Sequence, residues 1–199
     1  DAGGRIMLPG LFDMHGHVGR WEGGLNLAAG VTTVRDMGND NAQVQQIIDE
    51  TAAGKLLGPQ VVPAGFLEGE SPYSSNGGFV IKDLPQAKNA IDWYAEHGYP
   101  QLKIYNSFPK AILKDTVSYA HSRGMRVSGH VPAGLRAQDA LDAGYDEIQH
   151  INQVMLNFLV TPTTETRTLE RFVLPSEKVA GLDMNSPAVK KFVATLKAK

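Results

Sequence analysis

Two histidines one residue apart, His15 and His17, stand in the stretch LPGLFDMHGHVG (8–19). If this stretch is a β-strand, its period of two residues puts both imidazoles on one face. Neutral imidazole is the commonest protein ligand for a catalytic divalent metal, so the pair indicates half of a metal site. Two polar residues that bind no ion are the alternative reading at this point.

The rest of the chain alternates short apolar runs with amphipathic helical segments. Strands alternating with helices imply βαβ units around a parallel sheet. Eight such units are needed to close a barrel, and we count six. A polar loop at 67–79 is long enough to suggest a function, and the rhythm stops at 154. The predicted strands lie near 11–18, 31–37, 60–66, 101–107, 125–131 and 146–152.

Two more histidines, His130 and His150, lie at the carboxyl ends of predicted strands five and six. Barrels and open α/β sheets build their active sites at this edge. Each histidine alone would suit a hydrogen-bonded rim residue, but together they predict a metal centre. The other two histidines, His97 and His121, precede glycines in the last turns of helices, where a partial positive charge complements the helix dipole.

Lys103 lies in the middle of the strand QLKIYNS, between Leu102 and Ile104, so its side chain should point away from theirs. In a barrel that direction is the interior, where an ammonium group is costly to desolvate. A lowered pKa would leave a neutral amine that reacts with CO₂ to form a carbamate able to bridge two metal ions. A lysine at a strand edge that reaches water is the alternative.

The motifs LPGLFDMHGH, LKIY, VSGHVP and IQHIN, in that order, resemble the amidohydrolase superfamily. The stretch AGVTTVRDMG is similar to the branch that holds imidazolonepropionase-like and Xaa-Pro dipeptidase-like proteins. The resemblance runs from about residue 5 to 153. It implies an α/β fold, a (β/α)₈ TIM-type barrel of which strands 1–6 are present. Residues 1–10 would be the segment that leads out of a small β-sandwich domain. Residues 11–153 would form six βα units, and residues 154–199 would form an irregular insert and a terminal helix.

The resemblance also implies a binuclear site, most simply with two Zn²⁺ ions. His15 and His17 would hold the more buried ion, His130 and His150 the more exposed one, and Lys103, carboxylated by CO₂, would bridge them. A hydroxide shared by the ions would attack an amide carbonyl polarised by the exposed ion.

Three further residues are candidates for substrate contact. Tyr105, two residues beyond the lysine, would donate a hydrogen bond to the developing oxyanion, or pack at the barrel rim. Arg35, at the end of strand two, would bind substrate or pair with Asp36. Tyr73, in the loop 67–79, would contact substrate if that loop covers the site.

The leading function is hydrolysis of amide bonds in dipeptides or N-acyl amino acids. A cyclic amide or lactone hydrolase is the second reading, and a non-catalytic metal-binding relic or interaction module is the third. The family's strand-eight aspartate has no counterpart, because Asp183 follows no predicted strand. We therefore expect a fragment of a larger enzyme, inactive alone unless strands are supplied from elsewhere, for example by a second copy of the chain.

Composition excludes several classes of protein. A net charge of −2 over 199 residues, with no basic cluster, argues against a nucleic-acid partner. The absence of cysteine excludes disulfides and thiolate metal sites. No apolar run approaches the roughly 18 residues of a membrane span. The compartment stays open, because a cytoplasmic and an exported protein both fit this composition.

Overall fold

The computed structural model describes residues 2–198 and contains one parallel sheet. The strands are β1 (Leu11–Gly16), β2 (Val31–Asp36), β3 (Gln60–Gly69), β4 (Phe79–Ile81), β5 (Gln101–Ile104), β6 (Arg126–Gly129) and β7 (Glu147–Ile148). Six of them lie side by side in the order β1, β2, β3, β5, β6, β7, and β4 pairs with the far end of β3. The expected α/β fold, a partial (β/α)₈ barrel, is confirmed.

Helices connect successive strands and continue beyond the last one. The helices are α1 (Glu22–Ala28), α2 (Asn41–Ala52), α3 (Leu84–Glu96), α4 (Leu113–Ser122), α5 (Ala137–Ala143), α6 (Ile151–Leu159), α7 (Glu170–Lys178) and α8 (Pro187–Ala198). A short 3₁₀ turn at Lys110–Ile112 precedes α4, and another at Val179–Gly181 follows α7. No helix within residues 2–198 is long and apolar enough to cross a membrane.

Capping carboxylates start two of the connecting helices. Asp40 accepts a hydrogen bond from the backbone N–H of Gln43 at 2.9 Å, and Asp83 does the same for Gln86. These bonds satisfy N–H groups that have no partner in the first turn of a helix. The chain therefore enters α2 after β2, and α3 after β4, at a defined residue.

The core lies between the sheet and its outer helices. Leu102 and Ile104 on β5 are completely buried, and so is Tyr94 on α3. The Tyr94 hydroxyl donates to the backbone carbonyl of Phe66 at 2.9 Å, which ties α3 to β3. Because side chains alternate along a strand, Lys103 points to the opposite face, the interior of the barrel.

Three boundaries differ from the sequence-based prediction. Strand β3 extends to Gly69, and β4, which pairs with β3 in parallel, begins at Phe79. The connection between the two strands is therefore shorter than the predicted loop 67–79. The segment expected to be irregular contains α6 and α7. Pro175 lies inside α7, where a proline normally argues against a helix.

The two outer strands of the path, β1 and β7, each pair on one side only within residues 2–198. Apolar side chains along and before β1 are exposed to between 54 and 89%. Such an edge is a template for pairing with another strand. The apolar residues of this edge are Ile6, Met7, Leu8, Leu11, Phe12 and Met14.

Gly129, the last residue of β6, provides the first test of this packing. It has φ +144°, and a Cβ there would lie 2.1 Å from the backbone oxygen of Ile104. Gly98 also has a positive φ, +76°, but a Cβ there would meet nothing within 4 Å. We expect Gly129→Ala to lower the free energy of unfolding by about 3 kcal/mol or more, and Gly98→Ala by about 1 kcal/mol. Equal losses in urea unfolding would contradict the close approach of β5 and β6.

Candidate active site

A cavity of about 380 Å³ opens at the carboxyl ends of the strands. Every residue predicted to bind metal lines it, and so does Tyr105, whereas Arg35 and Tyr73 do not. The predicted residues in its wall are His15, His17, Lys103, Tyr105, His130 and His150.

The four imidazoles form a continuous row in this cavity. The ring of His15 lies 5.5 Å from that of His17 and 4.6 Å from that of His150, measured between centroids. His130 continues the row, 4.7 Å from His150. His15 belongs to β1 and His17 follows it, whereas His130 comes directly after β6 and His150 two residues after the end of β7. The fold thus brings together side chains up to 135 positions apart, the interval from His15 to His150.

Two of these rings are anchored through Nδ1 to amide oxygens. His17 Nδ1 lies 2.7 Å from the backbone oxygen of Gly38, and His130 Nδ1 lies 2.6 Å from Oδ1 of Asn106. A carbonyl oxygen only accepts, so each Nδ1 carries the proton and each Nε2 keeps its lone pair. Histidines that bind metals are typically held in this way by their second ring nitrogen.

His15 is held by a longer hydrogen-bonded network. Arg35 donates from both Nη atoms to Glu147 at 2.7 and 2.8 Å, across the interior of the barrel from β2 to β7. Glu147 also accepts a hydrogen bond from Nε2 of Gln149. That bond turns Oε1 of Gln149 toward Nδ1 of His15, 2.5 Å away. Arg35 additionally donates to the backbone oxygen of Met14, at 2.7 Å, so it supports the strand beside His15 as well.

Lys103 lies beneath this row and is only 1% exposed. Its Nζ is 3.4 Å from Nε2 of His15. Burial, followed by the positive charge of Arg35, lowers the pKa of Lys103 to about 7. A substantial fraction of the side chain is therefore a neutral amine near pH 7, the form that reacts with CO₂.

The histidines respond to the same environment. Loss of hydration and the neighbouring Lys103 ammonium lower the pKa of His150 to about 4. The same two causes, in the same order, lower the pKa of His15 and of the buried His130. These three rings are consequently neutral at physiological pH, which is the state in which imidazole binds a metal.

Aromatic and loop residues complete the walls. The ring of Tyr105 lies 4.2 Å from that of His130 and 5.0 Å from that of Phe66. Ser75 and Gly77 reach the cavity from the loop between β3 and β4. Tyr73, in the same loop, is 47% exposed and lies outside the wall, under the guanidinium of Arg167.

Glu68 lies just before that loop, at the end of β3, and is completely buried. It accepts hydrogen bonds from the backbone N–H groups of Gly69 and Ser107, at 2.9 and 2.7 Å. Burial raises the pKa of this carboxyl group. Its position as the last polar residue of a buried strand was the only available sequence signal.

The sequence did not predict four wall residues beyond β7, which are Asn152, Gln153, Arg171 and Phe172. They belong to α6 and α7, which the sequence did not reveal as helices over this edge. No spacing pattern connects them to the strand ends.

The donor chemistry of the cavity fits divalent metal ions, although the geometry is not preformed. Three of the four imidazoles have an anchored Nδ1 and an Nε2 lone pair. In residues 2–198, however, no three His, Cys, Asp or Glu side chains are arranged closely enough to hold one ion. Metal binding would therefore require the rings to draw together.

No protein-family model matches this sequence, and a search of curated proteins found no match. Solved structures do match. Bottromycin amidohydrolase is 21% identical, with a TM-score of 0.67 over 85% of this chain and 37% of that chain. A Xaa-Pro dipeptidase with methionine bound in its active site is 21% identical, with a TM-score of 0.60 over 85% of this chain and 51% of that one. Molinate hydrolase is 19% identical, with a TM-score of 0.54 over 73% and 46%.

The chain has the barrel fold of the amidohydrolases. The fold implied by the four motifs is thus confirmed by the structural likeness. The chain spans between 37 and 51% of the length of these three structures.

The buried amine of Lys103 predicts a pH-dependent stability in metal-free, CO₂-free buffer. An unfolded lysine has a pKa of about 10.4, so above pH 7 the unfolded chain binds the extra proton. The free energy of unfolding should rise between about pH 7.5 and about pH 9.5, by at most about 1.4 kcal/mol per pH unit. Lys103→Met should remove this rise in urea unfolding. Lys82→Met, at an exposed ion pair with Glu70, should keep it, and parallel profiles for Lys103→Met and the parent chain would contradict the assignment.

The network predicts which ring nitrogen of His15 carries the proton. We expect ¹⁵N spectra of the metal-free chain near pH 8 to show the Nδ1–H tautomer, because Oε1 of Gln149 accepts from it. Gln149→Leu removes the acceptor and should populate the Nε2–H form. Gln138→Leu, on the exposed face of α5, is the control. An unchanged His15 tautomer in Gln149→Leu would show that the network does not hold this ring.

Proposed function

We propose that this chain carries the metal-binding half of a hydrolase that cleaves amide C–N bonds. One observation supports the proposal above the others. Four imidazoles and a buried lysine face a single cavity at the active-site edge of a barrel shared with amidohydrolases. A dipeptide or an N-acyl amino acid is the proposed substrate, since the dipeptidase and other amidohydrolases have the same fold.

His15, His17, His130 and His150 would hold two divalent cations, zinc first, with Lys103 between them as a carbamate. Such ions supply Lewis acidity and lower the pKa of water. The protein's part is to orient the rings of His15, His17 and His130 through their anchored Nδ1 atoms. A carbamate at Lys103 would bring a negative charge into a wall that has none.

Tyr105 and Tyr73 remain proposed substrate contacts. The Tyr105 hydroxyl belongs to a wall residue and would donate a hydrogen bond to an oxyanion formed from the amide carbonyl. Tyr73 would reach substrate by movement of its loop. Arg35 pairs with Glu147 away from the wall, so we propose that it positions His15 instead of binding substrate.

The site as described lacks a carboxylate for proton transfer. No Asp or Glu of residues 2–198 lines the cavity, and Asp183 lies outside its wall, just before α8. Moving a proton from water to the leaving amine normally needs such a group. This absence favours a second candidate, a non-catalytic metal-binding module, and it is the reason we expect no turnover by this chain alone. A cyclic amide or lactone would meet the same wall.

Zinc binding tests the proposal directly. We expect isothermal titration in bicarbonate buffer to show two equivalents of Zn²⁺ per chain. His130→Ala should lose one equivalent or weaken its binding at least about tenfold, whereas His97→Ala, stacked on Trp93 at the end of α3, should bind like the parent chain. ¹³C-bicarbonate should give a carbamate signal that disappears in Lys103→Met.

Two outcomes separate the candidates. Absence of zinc binding, or equal binding by His130→Ala, would overturn the metal centre altogether. Zinc binding without hydrolysis of dipeptides or N-acyl amino acids is the expected result for this chain. Steady turnover at rates typical of enzymes would show that our expectation of inactivity is wrong and would remove the non-catalytic module from consideration.

A further inference from the structure

The charged side chains that the described residues bring to the cavity wall are all basic. Two cationic side chains, Lys103 and Arg171, line it together with the four imidazoles, and no acidic side chain of residues 2–198 does. After burial and Lys103, the charge of Arg171 also contributes to the lowered pKa of His130 and of His150. A cavity of this kind favours an anion, and bound divalent cations would increase that preference.

Arg171 is held firmly from one side. Its Nη1 donates to the backbone oxygens of Arg167 and Thr168, both at 3.0 Å. The centre of its guanidinium lies 4.6 Å from the ring centroid of Phe172. Its own backbone oxygen accepts from Nδ2 of Asn152 at 3.0 Å, which ties α7 to α6. The arginine therefore has a defined position at the cavity.

The same guanidinium lacks an acidic partner. Its Nε is buried and has no hydrogen-bond partner in the described part of the chain. By contrast, Arg20, Arg35, Arg123 and Arg167 each pair with a carboxylate. A buried donor on a charged group without an acceptor is unfavourable, and such a group calls for an explanation.

We propose that Arg171 binds the carboxylate of an anionic substrate and so determines which amides enter the cavity. A guanidinium presents parallel N–H groups that match the two oxygens of a carboxylate. Because Nη1 is already occupied, the edge formed by Nε and Nη2 is the one left for the ligand, which would reach the buried Nε by displacing the side chains that cover it. Phe172 contacts a face of the group, whereas carboxylates bind at an edge, so the two contacts are compatible.

This inference rests on the proposed function, because it names the substrate class for that site. The acid group would sit at the α7 side of the cavity, and the amide would extend toward Lys103 and the histidines. A cavity of about 380 Å³ is large enough for a ligand of dipeptide size. The recognition residue thus lies in the segment 151–178, outside the repeating βα units.

A matched pair of probes tests the assignment without requiring turnover. N-acetyl-L-alanine carries the carboxylate, and its primary amide has the same shape without the charge. We expect the parent chain to bind the acid at least tenfold more tightly than the amide in NMR titrations, with and without Zn²⁺. Arg171→Gln should abolish this preference, and Arg171→Lys should keep part of it, because lysine retains the charge and loses the parallel donors.

Arg123→Gln is the control for loss of one positive charge. Arg123 follows α4 at the opposite end of the barrel, where it pairs with Asp92, so its variant should keep the preference for the acid. Equal binding of acid and amide by the parent chain, or an unchanged preference in Arg171→Gln, would overturn the proposal. If Arg171→Gln fails to fold, two results remain as the test. The parent chain should prefer the acid to the amide, and Arg171→Lys should reduce that preference.

The two proposals fail separately. A preference for the acid that depends on Arg171, in a chain that binds no Zn²⁺, would refute the metal centre and leave an anion site. Zinc binding without discrimination between acid and amide would refute the role of Arg171 and leave the metal centre intact.

Discussion

The ion pair between Arg35 and Glu147 crosses the interior of an incomplete barrel, and the candidate site depends on it. It joins β2 to β7, two strands that do not pair in the sheet. Glu147 then orients Gln149, and Gln149 orients His15. This charge pair thus orients the ring of His15 through two intervening hydrogen bonds, from Glu147 to Gln149 and from Gln149 to His15. Removing Glu147 would leave the charge of Arg35, whose side chain is 12% exposed, without a partner in a poorly hydrated place.

The position of Lys103 illustrates how much the sequence could predict. Alternation along a short strand put its side chain opposite to Leu102 and Ile104, and the structure buries all three on the expected faces. The convergence of the histidines followed from a similar rule, since parallel strands end at one edge. These are consequences of backbone geometry, which a local pattern is enough to specify.

Arg171 illustrates what the sequence could not predict. It reaches the cavity through α7, a helix whose internal proline conceals it, and through a contact with α6. Its placement depends on the packing of two helices against the strand ends, and no periodicity encodes that packing. For a related reason, the sequence did not predict the oxygens of Gly38 and Asn106 as the anchors of His17 and His130. They are neighbours of the histidines in space, far from them along the chain.

His150 has φ +64°, and no other non-glycine residue among 2–198 has a positive φ. For a side chain with a Cβ this conformation costs on the order of 1 kcal/mol or more, a cost that glycine avoids. The fold alone would be better served by glycine. A lineage with no need for an imidazole at position 150 would therefore drift toward glycine. Whether related chains keep a histidine at this position is thus an evolutionary measure of whether this edge of the sheet binds a ligand.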